Sequence, residues 1–253
     1  MTTPYVKSTI ENAICTIEFF HPASNSLPGQ VLGDLAKSIS AAGADEACRV
    51  IVLKSAGEKA FCAGASFDEL VAIDDEATGQ TFFSGFANVI NAIRLCPKFV
   101  VGRVQGKAVG GGVGLASAAD VAYALKGASV KLSELAVGIG PFVVGPAVER
   151  KIGLSAFSLL SVDATSWYSA EWAKEKGLYA DIFSTTEEMD NAIEALVKKL
   201  AQSSPEAMAE LKKVCWQGTE HWDKLLVERA AISGRLVLSD FTREAIEKFK
   251  SKS

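Results

Sequence analysis

Four glycines fall within five positions, Gly110, Gly111, Gly112 and Gly114, inside V-Q-G-K-A-V-G-G-G-V-G-L-A-S-A-A-D (104–120). Glycine costs roughly 0.5–1 kcal/mol in regular structure, so the run calls for a reason. It follows a strand-like segment and opens a helical one. Backbone N–H groups at a helix N-terminus lack partners and carry partial positive charge, and glycines let a ligand atom approach them. No G-x-G-x-x-G frame fits and no G-K-[ST] follows, which sets aside the dinucleotide fingerprint and the phosphate loop. A cradle for one localised oxyanion remains. Close helix–strand packing is the competing reading of the same glycines.

A second loop, G-E-K-A-F-C-A-G-A-S-F-D-E-L (57–70), also leaves a strand-like run and holds the small cluster Cys62-Ala63-Gly64-Ala65 before a helical pattern. Two such strand ends can turn their N–H groups onto one oxygen, at the edge where parallel α/β sheets bind ligands.

The elements that must hold these loops alternate. Apolar or alternating runs at 13–20, 49–56, 99–106 and 120–125 read as strands, the middle ones covered on both faces. Between them, Val31, Leu32, Leu35 and Ile39, then Phe82, Phe83, Phe86, Val89, Ile90 and Ile93, recur at helical spacing. The alternation predicts an α/β core of crossover units. Beyond about residue 155 the chain reads as all-helical. Thr185 to Glu188 form a capping box, and Ser204-Pro205 reads as N-cap and first helical residue.

With 253 residues, 49% apolar and 22% charged, the chain can bury a large core. A net charge of −4 gives no basic footprint for nucleic acid. Five widely spaced cysteines without C-x-x-C argue against a disulfide framework or a zinc site, which points to a reducing cytoplasm. The N-terminal M-T-T-P-Y-V-K-S-T-I-E-N lacks the apolar core of a signal peptide, and no run reaches membrane-span length.

A-F-C-A-G-A-S (60–66), C-P-K-F-V (96–100), G-K-A-V-G-G-G (106–112), S-E-L-A-V-G-I-G-P (133–141) and S-A-E-W-A-K-E-K-G-L (169–178) together resemble the enoyl-CoA hydratase/isomerase (crotonase) superfamily, in order through nearly the whole chain. The resemblance implies a spiral α/β core of ββα turns over residues 1–190, with a C-terminal helical region at 191–253 used for trimer contacts. It implies an acyl-CoA thioester substrate, a homotrimer or dimer of trimers, no membrane partner, and no cofactor or metal beyond the CoA carried by the substrate. By position, it implies an oxyanion hole made by the N–H groups of Ala65 and Gly111. Ala63 falls on the CoA-binding side, and Phe249 and Lys250, in E-A-I-E-K-F-K, match a C-terminal pair that approaches CoA.

Hydratases of this family carry two glutamates. The position of the first is Gly114 here, and the second matches Glu134. Adding water to a double bond suits two carboxylates, whereas moving one needs a single base that takes a proton and returns it. A lone Glu134 among Leu132, Leu135, Val137 and Ile139 would have its pKa raised by desolvation. The P-F-V-V run at 141–144 resembles the isomerase branch, and also some methylglutaconyl-type hydratases. Double-bond isomerisation is thus slightly favoured over hydration by Glu134 alone, with a non-catalytic CoA-binding protein as the third reading. A solvated strand-end carboxylate is the alternative for Glu134.

Asp68, Glu69 and Glu149 are candidates for a second carboxylate, with surface roles as the competing reading. Ser66 stands where many members have Asp. Cys62 reads as small buried packing, His21 and His221 as surface or cap residues, and the tryptophans as packing or subunit contacts. Lys59 and Lys107 read as solvent-facing lysines, with CoA phosphates as the other reading.

Overall fold

The computed structural model describes residues 3–250, with side chains to residue 248. The chain opens with an antiparallel hairpin, β1 (Tyr5–Glu11) and β2 (Ile14–Phe20), turned at Asn12 and Ala13 with positive φ. Next come β3 (Ser26–Leu27), α1 (Gly29–Ala44) and β4 (Val50–Ser55). They lead into β5 (Ala60–Cys62), β6 (Gly64–Ala65), α2 (Phe67–Val71) and α3 (Glu76–Leu95). Two further turns supply β7 (Val100–Val104), β8 (Lys107–Val109) and α4 (Gly111–Ala118), then β9 (Val121–Leu125), β10 (Ser129–Lys131) and a 3-10 helix at Glu134–Val137. The remainder is α5 (Gly145–Val162), β11 (Tyr168–Ser169), α6 (Ala170–Glu175), β12 (Asp181–Phe183), α7 (Thr186–Ala201), α8 (Pro205–Cys215), α9 (Trp222–Leu236) and α10 (Asp240–Lys250).

From β4 onward each turn of the spiral gives one strand to each of two sheets, while β3 pairs with β6. The large sheet runs β1-β2-β4-β7-β9-β12 and the smaller one β11-β10-β8-β5. Pairing from β2 to β12 is parallel, as crossover connections require. The expected α/β spiral of ββα turns is therefore present. Buried Val50, Val52 and Val101 on one face meet Met189, Ile193 and Val197 of α7, while Ile51, Leu53 and Val100 face the main core. Coverage on both faces explains the continuous apolar runs.

The reading of an all-helical C-terminal third is corrected. β11 and β12 lie within it, and β12 extends the large sheet beside β9. Two- and three-residue strands are too short to show a periodicity. The polar N-terminus likewise conceals β1, whose exposed residues follow from its edge position. The capping box holds: Glu188 N–H donates to Thr185 Oγ1 at 3.2 Å, and Thr185 N–H to Glu188 Oε2 at 3.0 Å.

A buried ion pair ties α8 to the core. Lys212 Nζ lies 2.9 Å from Asp120 Oδ2 and donates to the Lys98 carbonyl at 2.6 Å. Asp120 also accepts from Val100 N–H at 2.7 Å and Trp216 Nε1 at 2.8 Å. Every charged atom there has a partner, the condition under which a buried pair is tolerated.

Candidate active site

A cavity of about 820 Å³ opens where β6, β8 and β10 end. Ala63, Ala65, Gly111 and Glu134 all line it, brought together from three turns of the spiral. The loop before β5 is held by side chains. Asn25 Nδ2 donates to the Ala56 and Ala60 carbonyls at 2.9 and 3.0 Å, and Gln105 Nε2 to Ser55 Oγ and the Gly57 carbonyl. Ser26 Oγ donates to the Ala65 carbonyl at 2.8 Å, fixing the β6 peptide. Ser66 caps α2 by accepting from Glu69 N–H.

The glycine run divides by role. Gly110 adopts φ 53° and ψ −112°, a conformation side chains disfavour, and a Cβ there would lie 2.8 Å from Glu134 Oε1. Gly111 opens α4, so its N–H has no intrahelical acceptor. A Cβ on Gly111 would overlap the Phe86 ring, one on Gly112 the Cys62 carbonyl, and one on Gly114 the Val144 side chain. Packing thus accounts for Gly112 and Gly114, while Gly110 makes room for the carboxyl and Gly111 serves both the ring and the open N–H.

Glu134 begins the 3-10 helix rather than ending a strand. Oε2 is buried with no hydrogen-bond partner among the described residues. Burial pushes the carboxyl up to about 7, opposed only weakly by its own backbone N–H. The residue as a whole is partly exposed, but its Oε2 is enclosed. The expected apolar setting is corrected in part: Leu135 points outward, 48% exposed, and Val144 and Phe142 stand in the cavity wall instead.

The other carboxylate candidates lie elsewhere. Asp68 and Glu149 are exposed, and Glu69 Oε2 accepts from Gly29 N–H at 2.8 Å. Sequence reasoning missed Glu244. It reaches the cavity from α10, which packs on the 3-10 helix through Phe241 and Thr242 against Gly138. Phe82, Phe83 and Phe86 of α3 form another wall. Phe249 and Lys250 fall in the last turn of α10, and their side chains lie outside the described residues.

Cys62 is fully buried, its thiol pushed up to about 12 by desolvation, as packing demands. His21 Nδ1 accepts from Ala23 N–H at 3.3 Å, and His221 precedes α9. Lys107 and Lys131 stand over the Trp167 ring. Among the described residues, no group of three His, Cys, Asp or Glu could hold a metal, and no helix is long and apolar enough to cross a membrane.

The family model described as enoyl-CoA hydratase/isomerase matches residues 9–250. A probable enoyl-CoA hydratase of Bacillus subtilis (strain 168) is 24% identical over 249 residues, 98% of this chain and 96% of its own length. A peroxisomal delta(3,5)-delta(2,4)-dienoyl-CoA isomerase of Arabidopsis thaliana is 26% identical over 243 residues, 88% of this chain and 84% of its own. The solved enoyl-CoA hydratase of Bacillus halodurans superimposes with a TM-score of 0.89 at 21% identity, covering 96% of this chain and 99% of that one, a likeness of fold.

Proposed function

The chain belongs to the enoyl-CoA hydratase/isomerase family, and on that premise we propose that it moves the double bond of an enoyl-CoA thioester with Glu134 as its one acid/base. The thioester oxygen accepts from the N–H groups of Ala65 and Gly111. Glu134, as carboxylate, takes a proton from C2 of a 3-enoyl thioester. The electron pair spreads onto the thioester oxygen, where the two donors stabilise it. Glu134 then returns the proton to C4, leaving the double bond at C2–C3 with no atom of water consumed. Losing one oxyanion donor typically costs about 10²–10³ in rate. CoA belongs to the substrate, so this chemistry asks for no resident cofactor.

One observation carries the reading. Glu134 presents a buried, unpartnered carboxyl oxygen to the cavity, and Val144 fills the space where a second carboxylate would come from position 114. A pKa near 7 suits a group that must both take and give a proton at neutral pH.

Hydration is the second reading, favoured by Glu244 at the cavity mouth. Incubation of wild type with hex-3-enoyl-CoA and with crotonyl-CoA in oxygen-18 water separates them. Isomerisation yields the 2-enoyl product without label. Label in a 3-hydroxyacyl product from crotonyl-CoA supports hydration.

A further inference from the structure

Two ammonium groups converge on one aromatic ring. Lys107 Nζ lies 4.8 Å and Lys131 Nζ 4.5 Å from the centre of the Trp167 ring. Trp167 is 43% exposed and lines the cavity, as does Lys131. The register places them. Val109 pairs with Lys131, Val130 with Tyr168, and Lys107 lies two residues before Val109, so Lys107, Val109 and Lys131 share one sheet face, with Trp167 next in line. An indole face attracts a cation, but two cations over one ring repel each other. Among the described residues, neither lysine has a carboxylate within ion-pair distance. The arrangement is a cationic shelf at the cavity wall.

The topology indicates which part of a thioester would reach it. The cavity has Ser26 and Ala63 on its β3–β6 side, and Lys131, Glu134 and Trp167 on its β10–β11 side. With the thioester oxygen between Ala65 and Gly111, the carrier and the acyl group leave in opposite directions. Glu134 must reach acyl carbons, so the acyl group runs toward β10–β11. This step rests on the Glu134 reading above.

We propose that Lys107, Lys131 and Trp167 form a subsite for a carboxylate at the far end of the acyl group, so that the chain selects thioesters of dicarboxylic acids. The carboxylate sits between the two ammonium groups, and the indole packs against the methylenes that lead to it. Charge-assisted contacts of this kind are the strong ones.

The test is calorimetric titration of the full chain with hexanoyl-CoA and with hexanedioyl mono-CoA, which has a carboxylate where the first has a methyl. Neither has a double bond, so binding is read apart from turnover. The expected result is about tenfold tighter binding of the dicarboxylic thioester, falling toward parity in Lys131→Met and kept in Lys131→Arg. Equal wild-type affinities overturn the proposal. So does a preference untouched by Lys131→Met, or an equal loss for both ligands, which would assign the lysines to CoA phosphates. Failure of the Glu134 reading has a separate signature, an intact binding preference with no turnover of hex-3-enoyl-CoA.

Discussion

Val144 occupies the space into which any side chain at position 114 would project: a Cβ on Gly114 would lie 2.5 Å from Val144 Cγ1 and 2.8 Å from Val144 Cβ. The glycine and the valine are one packing unit, both buried. Gly114→Ala alone should cost about 1–3 kcal/mol through overpacking. Val144→Ala in the same chain should recover part of that loss, with a coupling of about 0.5–3 kcal/mol in a urea-unfolding double-mutant cycle. Additive losses would mean that the two positions do not share this space.

The buried carboxyl sets two opposite pH trends. As the proposed base, Glu134 would act only when ionised, so kcat/KM should rise with pH through about 7 to a plateau. Stability runs the other way. The folded pKa lies above the ordinary 4.5, so the folded chain holds its proton more tightly than the unfolded chain. That contribution is whole below about 4.5 and is lost as pH rises through about 7. Glu134→Gln cannot ionise, so its melting temperature relative to wild type should climb from about pH 5 to about pH 8. A constant difference would contradict an enclosed carboxyl.

Lys212 is 2% and Asp120 7% exposed at the side chain, and the pair joins α8 to the strand end at Val100. Lys212→Met leaves a buried carboxylate with its neutral donors and only the Lys151 ammonium, held at the Asp120 carbonyl, as a nearby positive charge. Chemical denaturation should register a loss of about 3–5 kcal/mol. A loss under about 1 kcal/mol would match an exposed pair instead.

Helices α3 and α9 touch at two glycines. A Cβ on Gly79 would lie 2.7 Å from Gly234 Cα, and one on Gly234 2.6 Å from Gln80 N. Because α3 carries Phe82, Phe83 and Phe86 to the cavity, Gly234→Ala should cost about 1–3 kcal/mol and raise KM more than it lowers kcat. Gly33, inside α1, is the contrast: nothing lies within 4 Å of a Cβ there. Gly33→Ala should stabilise by about 0.4–1 kcal/mol.

Much of this architecture is legible in the sequence. The runs at 49–56 and 99–106 announce β4 and β7 because strands covered on both faces are apolar throughout. The glycine run stands out because glycine is costly in regular structure, whereas Glu134 and the oxyanion role of Gly111 come only from the family resemblance. What stayed hidden depends on contacts between distant segments. Nothing near Gly111 in the chain announces the Phe86 ring above it, and nothing near Gly114 points to Val144. Lys107, Lys131 and Trp167 look like three unrelated surface residues until the β8–β10–β11 register aligns them. Glu244 comes into the cavity only through the docking of α10 on the 3-10 helix.

The central claim is that one carboxyl, Glu134, moves the proton. Its most direct test is to compare wild type and Glu134→Gln on hex-3-enoyl-CoA in oxygen-18 water, with products read by mass. Wild type should form the 2-enoyl thioester free of label, and Glu134→Gln should lose at least about 10²-fold in rate while still binding the thioester. Label in the oxygen of the wild-type product, or a variant that isomerises at close to the wild-type rate, would contradict it.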